Sequence, residues 1–84
     1  IIGNNEISVY PMPAGDFVYL EFNQNPINEI RIISPFSQNV LYSDFLNRNE
    51  NKIKIDLKEI PSGIYIIQLK SGFKIVNKKL IVIK

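Results

Sequence analysis

Apolar and polar residues alternate along this chain in short runs, and no stretch shows the three-and-four spacing of a helix. The cleanest alternation is Lys52-Ile53-Lys54-Ile55-Asp56-Leu57. A strand over 52–57 sends Ile53, Ile55 and Leu57 to a core and Lys52, Lys54 and Asp56 to water. Further strands are predicted over 7–10, 16–22, 27–34, 40–44 and 64–70. Residues 16–22 are apolar on both faces: Val18, Leu20 and Phe22 form one, Phe17 and Tyr19 with Glu21 the other, which is expected to be partly covered. In 27–34, Ile30 and Ile32 point inward and Glu29 and Arg31 outward. In 64–70, the inward set is Tyr65, Ile67 and Leu69. The last strand, 73–84, changes phase: Phe73 and Ile75 are odd-numbered, Leu80 and Val82 even-numbered. A bulge near Asn77-Lys78-Lys79 is the expected way to reconcile them.

Turn chemistry separates these runs. Pro11 and Pro13, spaced by one residue, forbid regular ladder pairing and suit a crossing between two sheets. Asn23-Gln24-Asn25-Pro26 is a polar turn, Pro35-Phe36-Ser37-Gln38-Asn39 a hairpin loop, 45–51 a loop, and Ser71-Gly72 a tight hairpin turn. Ile60-Pro61-Ser62-Gly63 closes one strand and launches another. Pro61 fixes its own φ, and Gly63 is free to take a positive one. The spacing of Ile60, Gly63 and Tyr65 fits a tyrosine corner, in which a Tyr early in a late sandwich strand bonds back to the backbone upstream; a plain half-buried strand aromatic is the other reading. Seven short strands with turn signals every eight to twelve residues predict an all-β fold, an immunoglobulin-like antiparallel β-sandwich. An open barrel of the oligonucleotide-binding class is the alternative.

Composition narrows the chemistry. A chain of 84 residues buries only about 60–65% of its unfolded surface, and with no Cys it has neither disulfides nor thiolate zinc. Stability must come from aliphatic packing, which the abundance of β-branched isoleucine supplies in a form suited to strands. The absence of His and Cys removes Ser-His and Cys-His nucleophiles and imidazole metal sites, and the carboxylates form no calcium loop. No enzyme, cofactor, metal or small-molecule substrate is expected. The net charge of +2 is uneven: residues 1–42 hold one cation and four carboxylates, whereas 43–84 hold nine cations and four. From Ile60 onward there are five lysines and no acid. A basic end attracts anionic partners in principle, but Arg is scarce and no nucleic-acid motif is present, so a solvated face is the simpler reading and nucleic acid is not an expected partner. Tyr10, Tyr19, Tyr42 and Phe17 could form an aromatic platform for a sugar, though each also fits ordinary strand packing.

Three stretches carry a resemblance. They are Ile7-Ser8-Val9-Tyr10-Pro11-Met12-Pro13-Ala14, then Ile60-Pro61-Ser62-Gly63-Ile64-Tyr65-Ile66-Ile67, and finally Lys78-Lys79-Leu80-Ile81-Val82-Ile83-Lys84. In order and spacing the chain from Glu6 onward resembles the type A C-terminal sorting domains of type IX secretion substrates. It departs from that pattern at Met12, where Asn is usual, and in the hairpin at Pro35-Phe36-Ser37-Gln38, where Gly is usual. The resemblance implies a seven-strand immunoglobulin-like domain that is a signal and not a catalyst. It implies a linker over 1–5, a sorting domain over 6–84, and a larger cargo upstream. Such a cargo passes through the periplasm of a Gram-negative bacterium, is recognised by the outer-membrane type IX machinery, and reaches the cell surface or medium after a surface sortase removes the domain.

The resemblance assigns signal recognition to Lys79, Leu80, Val82 and Lys84, and motif or structural roles to Pro11, Pro13, Ala14, Gly63 and Tyr65. On the residues alone, the prolines shape a sheet crossing, Gly63 and Tyr65 are fold determinants, and the terminal lysines are the exposed groups a partner would touch. Two other functions fit the same composition: a cell-surface adhesive or carbohydrate-binding accessory module, and a passive spacer.

Overall fold

The computed structural model describes residues 7–22, 27–45, 52–72 and 74–84. Seven strands run in chain order: β1 (Ile7–Tyr10), β2 (Phe17–Phe22), β3 (Glu29–Ile33), β4 (Val40–Phe45), β5 (Lys52–Asp56), β6 (Gly63–Ser71) and β7 (Lys74–Val82). They form a three-stranded sheet in the order β1-β2-β5 and a four-stranded sheet in the order β4-β3-β6-β7. Every pairing between strands is antiparallel. The two sheets share no strand, so the fold is a sandwich and not the barrel considered above. Seven antiparallel strands in two sheets make the immunoglobulin-like sandwich expected. The expected linker over 1–5 and the turn at 23–26 lie outside the described residues, as does the loop expected over 45–51 from residue 46 on, Phe45 being instead the last residue of β4.

The core is aliphatic and comes from alternate positions of both sheets. Val18, Leu20 and Ile55 from one sheet meet Ile30, Ile32 and Ile67 from the other, all essentially without solvent exposure. Phe22 and Tyr65 are the aromatic members of this cluster. The inward sets expected for 16–22, 27–34, 52–57 and 64–70 are those observed.

Two expectations change. Glu29 faces away from the core as its parity requires, but it is buried, with 6% exposure. Pairing of β3 with β6 sets Glu29 opposite Lys70, and Arg31 follows two residues along the same face. Arg31 Nε lies 2.8 Å and Lys70 Nζ 3.8 Å from its carboxylate, so two long cations cover the acid. The bulge expected in the last strand is absent. β7 pairs with β6 in one unbroken register from Gly63↔Val82 to Ser71↔Lys74. The even-numbered Val76, Leu80 and Val82 all face the core, and Ile75 stands on the outer face with 53% exposure. Ile75 is thus an apolar residue on an outer face and marks no change of phase. The irregularity in this sheet falls elsewhere, between Ile32 and Ile33 where β3 pairs with β4.

The turns follow their residues. In the β3–β4 loop Gln38 takes a left-handed φ of 59° and donates its N–H to Ser34 O at 2.7 Å, while Ser34 N donates to Asn39 O at 2.9 Å. The register closes the β6–β7 hairpin at Ser71↔Lys74, so the tight turn begins at Gly72, one residue later than expected, with φ at 61°. Asn28 fastens it: its side-chain oxygen accepts Gly72 N–H at 2.6 Å and its own N–H donates to Lys70 O at 2.7 Å.

The tyrosine corner forms. Tyr65 Oη donates to Pro61 O at 2.6 Å, across the connection from β5 to β6. Gly63 serves it by close approach and not by a positive φ, since a Cβ there would stand 3.3 Å from the Tyr65 hydroxyl.

Two stability outcomes follow. Tyr65→Phe removes the corner bond and should lower the unfolding free energy by about 1 kcal/mol in urea titration, without altering the fold read by circular dichroism. Gln38→Gly relieves a left-handed backbone that costs a residue with a Cβ about 1–2 kcal/mol; after the extra entropy of an unfolded Gly, a gain of about 0.5–1 kcal/mol is expected in the same titration.

Candidate functional site

The terminal strand β7 lies at the edge of the four-stranded sheet, and three anchors fix it. The first is the ladder to β6. The second is the proline segment, which leaves β1 in the three-stranded sheet and reaches β7 in the other. Ala14 makes a parallel bridge to Val82, donating to Ile81 O at 2.7 Å and accepting from Ile83 N at 2.8 Å. Pro11 and Pro13 therefore do shape a crossing between sheets, and both peptide bonds preceding them are cis. Ala14 is buried to 1% exposure. Met12, the residue that departs from the usual Asn, receives the Ile81 N–H on its sulfur at 3.3 Å. The thioether supplies a weak acceptor at a position where an amide oxygen would supply a stronger one.

The third anchor is Lys84. Its backbone N–H donates to Ser62 Oγ at 2.9 Å. Its ammonium donates to the carbonyl of Leu57 at 2.5 Å and to that of Lys58 at 3.1 Å. Leu57 O also accepts Ile60 N–H at 2.9 Å, so the cation docks on a turn the backbone has already closed. The same connection carries Pro61, whose carbonyl receives Tyr65. The corner and the terminal lysine thus brace one short segment from opposite sides.

This geometry sorts the residues expected to carry recognition. Leu80 and Val82 have 0% and 1% exposure and belong to the core. Lys84 is exposed along its stem but its ammonium is committed to two carbonyls. Lys79 is exposed on the outer face, paired across the sheet with Ile66 and beside the half-exposed Ile64 and Ile81. Lys78, opposite the buried Ile67, points to the core side of the edge strand. Gly63 and Tyr65 build the corner. Sequence reasoning missed Met12 as an acceptor, Ser62 as a partner of Lys84, and the carbonyls of Leu57 and Lys58. The last two have no side-chain signature, and only the fold brings them to Lys84.

The outer face of the three-stranded sheet gathers the aromatics. Tyr10 and Tyr19 pair across β1 and β2 with ring centroids 5.6 Å apart, and Phe17 meets Tyr19 edge-on at 5.4 Å. Lys52 Nζ lies 4.8 Å from the Tyr19 ring centroid, and Lys54 Nζ 4.7 Å from that of Phe17. A hydrogen bond to Tyr10 raises the pKa of Lys52 above its ordinary value, with the charge interaction with Tyr10 the next cause. Tyr10 Oη in turn donates to Glu21 Oε1 at 3.0 Å. Tyr42 stands apart on β4, its pKa raised by burial first and by the charge of Asp44 second. Among the described residues no group of three or more His, Cys, Asp or Glu is placed to hold a metal ion.

The contrast between the two exposed-side lysines is measurable. Lys84→Met removes two charge-assisted bonds at a partly screened site and should cost about 1–2 kcal/mol in urea titration, whereas Lys79→Met should stay within about 0.5 kcal/mol of the parent.

Comparison with known proteins bears on the terminal strand directly. The family described as the secretion system C-terminal sorting domain matches over residues 8–84, which takes in all three motifs. The chain is also similar to the ATP synthase subunit delta of Wigglesworthia glossinidia brevipalpis, 36% identical over 80 residues. That similarity covers 94% of this chain but 44% of the other protein, so the chain spans less than half the length of that relative. The sandwich, the corner and the anchored terminal strand accord with the family match, and the chain belongs to the secretion system C-terminal sorting domain family, the export signals of type IX secretion.

Proposed function

We propose that this domain is read by the outer-membrane type IX machinery as a folded surface built around β7, and that it carries an upstream cargo through the periplasm to the cell surface or beyond. The observation that supports this most is the triple anchoring of β7, which holds Lys79 exposed in a fixed place while Leu80 and Val82 are spent on the core. Lys79 is the residue the machinery touches. Leu80 and Val82 act by setting the strand's depth, and Lys84 by fixing its end. Pro11, Pro13 and Ala14 guard the strand's free edge, and Gly63 and Tyr65 hold the connection on which Lys84 docks. A surface sortase then separates cargo from domain before Ile7, because an extended segment enters a protease cleft more readily than a strand committed to a sheet.

The reading is tested by fusing the full chain to a reporter bearing a signal peptide in a type IX strain and in a strain lacking the translocon. Surface or secreted reporter is expected only in the first. Lys79→Ala is expected to lower export several-fold with unfolding in urea unchanged. Leu80→Asp is expected to abolish both export and the folded state. Normal export from the Leu80→Asp chain would overturn the idea that a folded β7 is what is read, and normal export from Lys79→Ala would remove Lys79 from the contact.

A further inference from the structure

The core of this domain is built almost wholly of Ile, Leu and Val, yet Tyr10, Tyr19 and Phe17 stand together on the outer face of the three-stranded sheet. Burial is where an aromatic ring stabilises a small domain most, so their placement outside is a cost to the core. Cross-strand aromatic pairing returns part of it, about 0.2–1 kcal/mol per pair. The lysines are placed to a pattern as well. Lys54 pairs across the sheet with Tyr19 and Lys52 with Glu21, and their ammoniums stand over the rings. No ion pair joins either lysine to a carboxylate among the described residues. Exposed cation–π contacts of this kind are worth about 0.5–1 kcal/mol and are readily exchanged for a stronger anion. Beside Phe17 lies a shallow depression of about 270 Å³ lined by Asp16, Lys54, Asp56 and Lys58.

We propose that this face binds an acidic saccharide chain. The C–H faces of the sugar rings lie on Phe17, Tyr19 and Tyr10, the sugar carboxylates meet Lys52 and Lys54, and the depression beside Phe17 takes one ring with its hydroxyls donating to Asp16 and Asp56. A saccharide is favoured over a deoxyribonucleic acid because the same face carries Glu21, Asp16 and Asp56, acceptors for the hydroxyls that every sugar ring offers and a deoxyribonucleotide chain lacks. An acid is favoured over a neutral sugar because Lys54 stands over Phe17, and Lys52 over Tyr19 though it faces Glu21 across the sheet, with neither ammonium in a close ion pair among the described residues. The face lies on the three-stranded sheet and β7 on the other, so binding here is separable from the export signal.

The test is calorimetric titration of the full chain with alginate oligosaccharides, which are polymers of uronic acids, and in parallel with dextran and with oligo-deoxythymidine. Saturable binding of alginate is expected, with neither dextran nor the oligonucleotide binding comparably. Lys52→Gln with Lys54→Gln should weaken alginate binding by about tenfold or more. Tyr19→Leu with Phe17→Leu, which keeps apolar cover while removing the ring faces, should weaken it by about tenfold, circular dichroism confirming the fold. No saturable alginate binding overturns the proposal. Equal binding of dextran overturns the acidic assignment, and equal binding of the oligonucleotide with no effect of the Leu variants reduces the face to general electrostatic attraction. Reporter export unchanged in the Gln variants is the expected companion result, which keeps this outcome distinct from that of the sorting reading.

Discussion

The hydroxyl of Tyr65 donates to the carbonyl of Pro61, and that bond braces the connection on which the end of the last strand docks. It pins the connection between β5 and β6, which also carries the carbonyls of Leu57 and Lys58. Those carbonyls receive the terminal ammonium, and Ser62 on the same connection receives the backbone of Lys84. A small sandwich without disulfides has little surplus stability. Here a few hydrogen bonds at one corner fix the end of the last strand, whose register along its length is set by its ladder to β6.

The β7 edge of the four-stranded sheet shows how a strand can be presented without inviting another to pair with it. An exposed strand edge invites pairing with other chains. β7 is shielded by the segment around Ala14 along 81–83, and the rest of its length carries Lys74, Lys78 and Lys79. Lys78 points toward the core side of that edge, where an intruding strand would have to bury it. The basic end of the chain therefore has two uses. Part of it keeps the edge unpaired, part locks the strand to its own domain, and Lys79 stands on the outer face among isoleucines.

Much of this was legible in the residues. Alternation and the turn residues between the runs together locate the seven strands and the inward residues of four, most plainly over 52–57 where one face is polar throughout. Pro11 and Pro13 announced the crossing, and Ile60, Gly63 and Tyr65 the corner. What failed did so for physical reasons. The apparent change of phase in the last strand came from Ile75, an apolar residue on an outer face that carries several others, and sequence cannot say which face of a strand an isolated Ile will take. Glu29 reads as solvated because, of its two covering cations, Arg31 lies two residues along the same strand but Lys70 is brought opposite it only by register between strands. Gly63 was read through its backbone freedom when the tyrosine ring beside it was the reason. The clamp around Lys84 uses main-chain carbonyls, which every residue possesses and none advertises. The roles expected of Leu80 and Val82 rest on a family pattern that does not distinguish a residue that is touched from one that holds its neighbour in place.

The parallel bridge between Ala14 and the end of β7 has a mechanical meaning. Tension between the polypeptide preceding Ile7 and the far end of β7 pulls two parallel segments along their common axis in opposite senses. Bonds from Ala14 to Ile81 and Ile83 then bear the load side by side, as in a lap joint, where a hairpin would open one bond at a time. Pulling this domain by those two ends loads it in this direction. The clasp between its first and last segments is thus oriented to resist extraction by force.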